Sequence, residues 1–281
     1  MDGLTMPAPG AIRAPRAAHA LLLGRYIPAR ALLLAAYGSV FVGGLAAFAV
    51  SLSEKTDYGL TYRVWFGALV VIVLAIAVAP IVGARVGGLD WDLGTMKDHH
   101  LGGYRIFRLQ LSALGYATAV GFIFVLVGVC SALVVGLIGT LGAPSLAGDG
   151  HLLSNGMVIR LFIAAGVGIP FAGLVGWAMG VVLRSSLRGA LLAEVSLLLY
   201  IMTVPVVAGT STLAPLRLLY RYSPWGALAA TAGDYQLPSV AVDPVMGPGT
   251  SAVAMCLWAV VILLGAGLVS ARRDIGGGGA S

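Results

Sequence analysis

Apolar residues along this chain do not alternate with polar ones; they come in long unbroken runs. The stretch 31–52, ALLLAAYGSVFVGGLAAFAVSL, carries no charged residue. As a helix it would be about 33 Å long, enough to cross the roughly 30 Å hydrocarbon layer of a bilayer. Runs at 64–84, 111–138, 158–183, 187–208 and 251–270 have the same character, and the polar segments between them read as connections. In hydrocarbon every backbone polar group needs an internal partner, so runs of this density predict helices. The expected fold is all-α: a polytopic membrane protein with six transmembrane helices.

Composition agrees. The chain is 59% hydrophobic and only 10% charged, with a mean hydropathy of +0.97, where a soluble domain carries about 25% charged residues. Its 40 glycines are dispersed through the apolar runs, as expected for helices that pack closely in lipid. Only Gly276 to Gly279 reads as a linker-like tail. Cys130 and Cys256 both fall inside predicted spans and form no disulfide framework. The first run is too long for a usual signal-peptide core and lacks a clear cleavage site after it, so it is expected in the mature protein.

Charge sets the orientation. Six spans place both termini on one side. Twelve basic residues fall on that side: Arg13, Arg16, Arg25, Arg30, Arg85, Lys97, Arg105, Arg108, Arg184, Arg188, Arg272 and Arg273. Five fall on the other: Lys55, Arg63, Arg160, Arg217 and Arg221. The positive-inside rule then puts both ends in the cytoplasm. The net charge of +6 flanks membrane spans and does not point to nucleic acid. Residues 1–30 are expected as a cytoplasmic tail followed by an interfacial helix, 31–270 as the six-span domain, and 271–281 as a cytoplasmic tail. In LLLGRYIPAR (21–30) the leucines would bury at the interface while Arg25 and Arg30 stay at headgroup level. The alternative is an extension of the first span, with Pro28 near the break.

Candidate chemistry is sparse. Glu194 is the one carboxylate well inside a predicted span. It should face protein, water or a base such as Arg184 or Arg188, either as an anchor or in transport and gating. Trp177, mid-span, reads as packing or as a wall of a substrate path, while Trp65 and Trp225 read as interface anchors. Ala172, Gly176 and Gly180 recur every four residues and form a small-residue ridge for helix packing. Pro170 could kink that same span. His99 and His100 lie beside Asp98, a polar loop in preference to a metal site. No nucleophile elbow, H-E-x-x-H or C-x-x-C pattern occurs, so no catalytic role is expected. The two lysines, Lys55 and Lys97, end no P-loop, so ATP would have to be bound by another chain.

The richest polar segment follows the second run. It reads Asp90-Trp91-Asp92-Leu93-Gly94-Thr95-Met96, then Tyr104-Arg105-Ile106-Phe107-Arg108. Asp90 and Asp92 could cap or orient a short helix. The mixture of charge and apolar side chains suits either partner docking or an ordinary membrane-surface loop. On the other side, 208–250 is the longest connection. Its pieces LAPLRLLYRY and Ser223-Pro224-Trp225-Gly226-Ala227-Leu228 are too short to span and could dip into the outer leaflet as a broken hairpin.

From the end of the tail onward, the chain resembles the membrane subunits of ABC-2 type export transporters. Asp92-Leu93-Gly94-Thr95 is similar to the family's acidic-x-Gly-Thr segment, and Arg105 stands where the family often has an arginine. Ser223-Pro224-Trp225 resembles its Ser-Pro-aromatic turn, and Arg272-Arg273-Asp274 its basic-basic-Asp ending. Gly102-Gly103 replace the family's usual proline, and Gln110 stands near its usual lysine. The resemblance implies a non-catalytic export permease that takes a hydrophobic or amphipathic substrate. Asp90, Asp92, Gly94, Thr95, Arg105 and Arg108 would receive motion from the ATPase, with Arg184 and Arg188 as a second contact. It implies a pair of P-loop ATPase subunits holding ATP and Mg, a second permease chain, identical or homologous, and no cofactor on this chain. The expected location is a plasma membrane, such as a bacterial inner membrane. Two other readings stay open: a secondary transporter driven by an ion gradient through Glu194, and a non-transporting membrane scaffold or immunity protein.

Overall fold

The computed structural model of the chain describes residues 29–52, 60–95, 106–140, 157–209, 219, 222–231 and 248–275. These residues are helical or lie in short turns, with no strand among them. The elements are α1 (Ala29–Leu52), α2 (Leu60–Asp92), α3 (Ile106–Thr140), α4 (Met157–Leu183), α5 (Ser186–Gly209), α6 (Pro224–Thr231) and α7 (Pro248–Ile275). Five of them, α2, α3, α4, α5 and α7, are long and apolar enough to cross a membrane. In α1 the stretch Leu34–Ala49 is apolar as well. The proposed interfacial segment up to residue 28 lies outside the described residues.

The long helices alternate in direction. Gly67 of α2 meets Ala132 of α3 while Val71 meets Gly128, so those two run antiparallel. Gly83 against Gly173 and Gly87 against Trp177 make α2 and α4 parallel. Met255 packs at the level of Ala172, and Ala266 at the level of Trp177, so α7 is parallel to α4 as well. The α2–α3 and α4–α5 connections therefore share one end of the bundle, called the junction end below.

The centre is α4, 61% of whose apolar span is buried, against 11% for α5 and α7. Its closest neighbour is α2. A Cβ added at Gly176 would lie 2.0 Å from the carbonyl oxygen of Pro80, and one at Gly83 1.9 Å from that of Gly173. Only hydrogen fits there, so the two backbones touch directly. Close approach of this kind replaces the hydrophobic drive that lipid cannot supply between membrane helices. Gly180 and Ala84 continue the seam, so the ridge at Gly176 and Gly180 is occupied by this chain's own α2. Ala172 lies one turn further along, fully buried among Phe171, Val175, Trp225, Leu228 and Met255.

Two expectations need correction. The second helix does not stop near residue 84 but runs to Asp92, eight residues further. Arg85, Asp90 and Asp92 interrupt the apolar run, yet Val86, Gly87 and Gly88 are buried against α4 and α5, and that packing carries the helix onward. Trp225 is no interface anchor: it is buried in the α4–α6–α7 cluster and donates its indole N–H to Ser196 Oγ at 2.9 Å. The motif around it is a helix start. Ser223 Oγ accepts from the Gly226 amide at 3.0 Å, Pro224 occupies the first helical position, and α6 packs inward. The rest of the long outer connection, 210–218, 220–221 and 232–247, lies outside the described residues.

Candidate functional site

At the junction end, Asp92-Leu93-Gly94-Thr95 is the C-terminal stop of α2. Gly94 takes the left-handed conformation at φ 67°. The Thr95 amide donates to the Asp90 carbonyl at 3.1 Å and the Gly94 amide to the Trp91 carbonyl at 3.1 Å. Those two bonds are the Schellman pattern, which satisfies carbonyls a helix end would otherwise leave open. Asp90 is fully buried, with Oδ1 3.4 Å from Thr95 Oγ1, so its side chain is enclosed by the fold.

The α4–α5 turn is built the same way with a less suitable residue. Arg184 is left-handed at φ 52°, and the Ser185 amide donates to the Gly180 carbonyl at 3.3 Å. A non-glycine residue there costs about 1–2 kcal/mol. The guanidinium of Arg184 lies 4.4 Å from the Trp91 ring centroid, a cation–π contact that offsets part of that cost.

Asp92 joins the two ends. Its Oδ2 accepts from the Ser186 amide at 2.8 Å and also from the Ser186 hydroxyl. Ser186 opens α5, so a carboxylate from the end of α2 caps the start of another helix, where the helix dipole favours negative charge. Arg188, two residues along, adds an attractive charge. The expectation that Asp90 and Asp92 cap a short local helix is thus replaced by a bond across 94 residues of sequence.

Family models, curated proteins and solved structures yield no match to this chain.

The junction brings together Asp90, Asp92, Gly94, Thr95, Arg184 and Arg188. Arg105, His99 and His100 lie outside the described residues, and of Arg108 only its place in the first turn of α3 is described. Glu194 is apart from the junction pair. It sits half-buried on α5 with Oε1 enclosed and no hydrogen-bond partner, while Arg184 is engaged with Trp91 and Arg188 acts on Asp92. Trp177 is 1% exposed among Val86, Leu114, Val181 and Ala266 and donates its indole N–H to Gln110 Oε1 at 3.2 Å.

One feature had no signal in the sequence. A cavity of about 430 Å³ lies between α1, α2 and α3, floored by Ile169 and Gly173 of α4. Its hydroxyls are those of Ser39 and Thr118, each donating at 2.9 Å to a carbonyl of its own helix. The surface left for a ligand is apolar. Trp177 and Glu194 do not line it.

Proposed function

We propose that the chain is the membrane subunit of an ABC-2 type exporter. In this reading six helices cross the membrane, both ends are cytoplasmic, and the junction end faces a pair of ATPase subunits. A second permease chain completes the assembly, and the cargo is hydrophobic or amphipathic, because the described spans offer few polar groups to replace a hydrated cargo's water. The observation that carries the reading is the bond from Asp92 to Ser186. Through it, a push on either cytoplasmic connection reaches both α2 and α5, and α2 is locked by its glycines to α4. Exposed Leu93 and Leu187 stand beside exposed Arg184 and Arg188, giving a partner apolar and basic contacts together.

Purification from the native cell in mild detergent tests this. The expected result is a stoichiometric P-loop ATPase, with cargo-stimulated ATP hydrolysis reduced by Asp92→Ala. Reconstituted chain that moves cargo on an ion gradient, with no ATPase, would overturn it. The second reading, an ion-coupled transporter, is favoured by one observation, the enclosed and unpartnered Oε1 of Glu194. Glu194→Gln would abolish gradient-driven flux in that case and leave ATP-driven flux in place in the first.

A further inference from the structure

The cavity between α1, α2 and α3 is elongated along the helix axes. Its lining runs from Val71 to Gly83 on α2 and from Leu114 to Val125 on α3. At 1.5 Å per residue these are lengths of about 18 Å and 17 Å. One leaflet of hydrocarbon is roughly 15 Å deep. The cavity is only partly enclosed, and Leu74 and Val78 in its wall are 44% and 50% exposed.

Water does not fill such a space well, since an ordered water needs two to four polar partners. Ser39 and Thr118 already spend their hydroxyl protons on Ala36 and Leu114 carbonyls of their own helices. A polar cargo would find only the acceptor lone pairs of those two hydroxyls. An alkyl chain needs only contact, and the surrounding bilayer supplies one of leaflet length.

Charge marks where its headgroup would sit. Gly43 against Gly128 and Gly44 against Val135 make α1 parallel to α3, so Arg30 and Arg108, in the first turns of these helices, are both at the junction end. They precede the nearest lining residues, Ala35 and Leu114, by five and six positions, about 8–9 Å along the axis. That offset is one to two turns, which sets these two basic positions toward the headgroup layer. We infer that this cavity holds one acyl chain of an anionic phospholipid from the leaflet at the junction end, its phosphate beside the starts of α1 and α3. The inference needs a membrane but does not rest on the exporter reading.

Gly38 gives a clean way to test it. It lines the cavity, its backbone is helical, and a Cβ built there meets nothing within 4 Å. Gly38→Leu would enter the space with no clash at its Cβ, and Ala35→Phe would do so from an exposed position. The full chain is placed in phosphatidylcholine vesicles carrying a few per cent of phosphatidylglycerol with a photoreactive group mid-chain. After irradiation, adducts are mapped by mass spectrometry on the cavity segments 35–42 and 114–125. The exposed residues Val260 and Leu264 of α7 serve as the bulk reference.

Expected is a cavity yield roughly tenfold above that reference, falling to it in both variants while their thermal midpoints hold; tenfold is what losing about two buried methylene contacts does. Equal labelling of cavity and α7 in the unaltered chain would overturn the site. So would enriched labelling that neither variant reduces. The same enrichment with photoreactive phosphatidylcholine would overturn the anionic headgroup.

Discussion

Helix α2 treats its neighbours in opposite ways. Toward α4 it closes to backbone contact, with room for no side chain at Gly83 or Gly176. Toward α1 and α3 it closes in the same way at Gly67, but beyond Val71 it stands off and leaves about 430 Å³ open. Both faces are apolar and both use glycine, so hydrophobicity does not separate them. What separates them is what lies opposite. Gly83 and Gly176 meet a facing carbonyl, whereas Gly38 meets empty space. In a bilayer the first arrangement holds helices together by contact, and the second leaves lipid a way in.

The largest expected effect breaks the closed side. Gly176→Leu would drive a side chain into the Pro80 carbonyl, costing about 3 kcal/mol or more. Little monodisperse protein should then emerge from size-exclusion chromatography in mild detergent. Gly38→Ala sharpens the contrast: with no clash and a better helix former, its thermal midpoint should hold or rise slightly. Trp177→Phe comes next, since it removes the N–H bonded to Gln110 and leaves a buried amide with fewer partners. A loss of about 1–3 kcal/mol is expected in detergent unfolding.

Asp92→Ala removes the cap between α2 and α5, about 1 kcal/mol. Amide exchange at Ser186 and the following residues should speed up about fivefold, the factor that energy corresponds to. Arg184→Gly should change least. It relieves about 1 kcal/mol of left-handed strain and loses a contact of similar size with Trp91, so the unfolding midpoint should barely move.

Much of this comparison was illegible in the sequence. Long apolar runs mark the helices because bilayer thickness demands them, and the five long ones stand where the runs are. The ridge at Gly176 and Gly180 was visible from its spacing, but its occupant, Pro80 to Ala84, was not. The end of α2 was read too early because Arg85 and Asp90 look like loop, whereas burial of Val86, Gly87 and Gly88 against α4 and α5 keeps the segment helical. Asp92 stood out as an acid near a glycine, yet its partner Ser186 lies 94 residues away, beyond any local pattern. Gln110 and Trp177, separated by 67 residues, are hidden for the same reason. The cavity is a property of spacing between helices, and no single residue encodes it.

The bond from Asp92 to Ser186 also has a consequence for how the chain is made. A ribosome adds about 5–20 residues each second, so 94 residues take roughly 5–20 s. During that interval α2 has its glycine stop but no α5 to hold. Its carboxylate waits in water until α3, α4 and the first turn of α5 have emerged. The junction is therefore a late seam in biogenesis, and a nascent chain stalled before Ser186 would carry a finished α2 with its clasp still open.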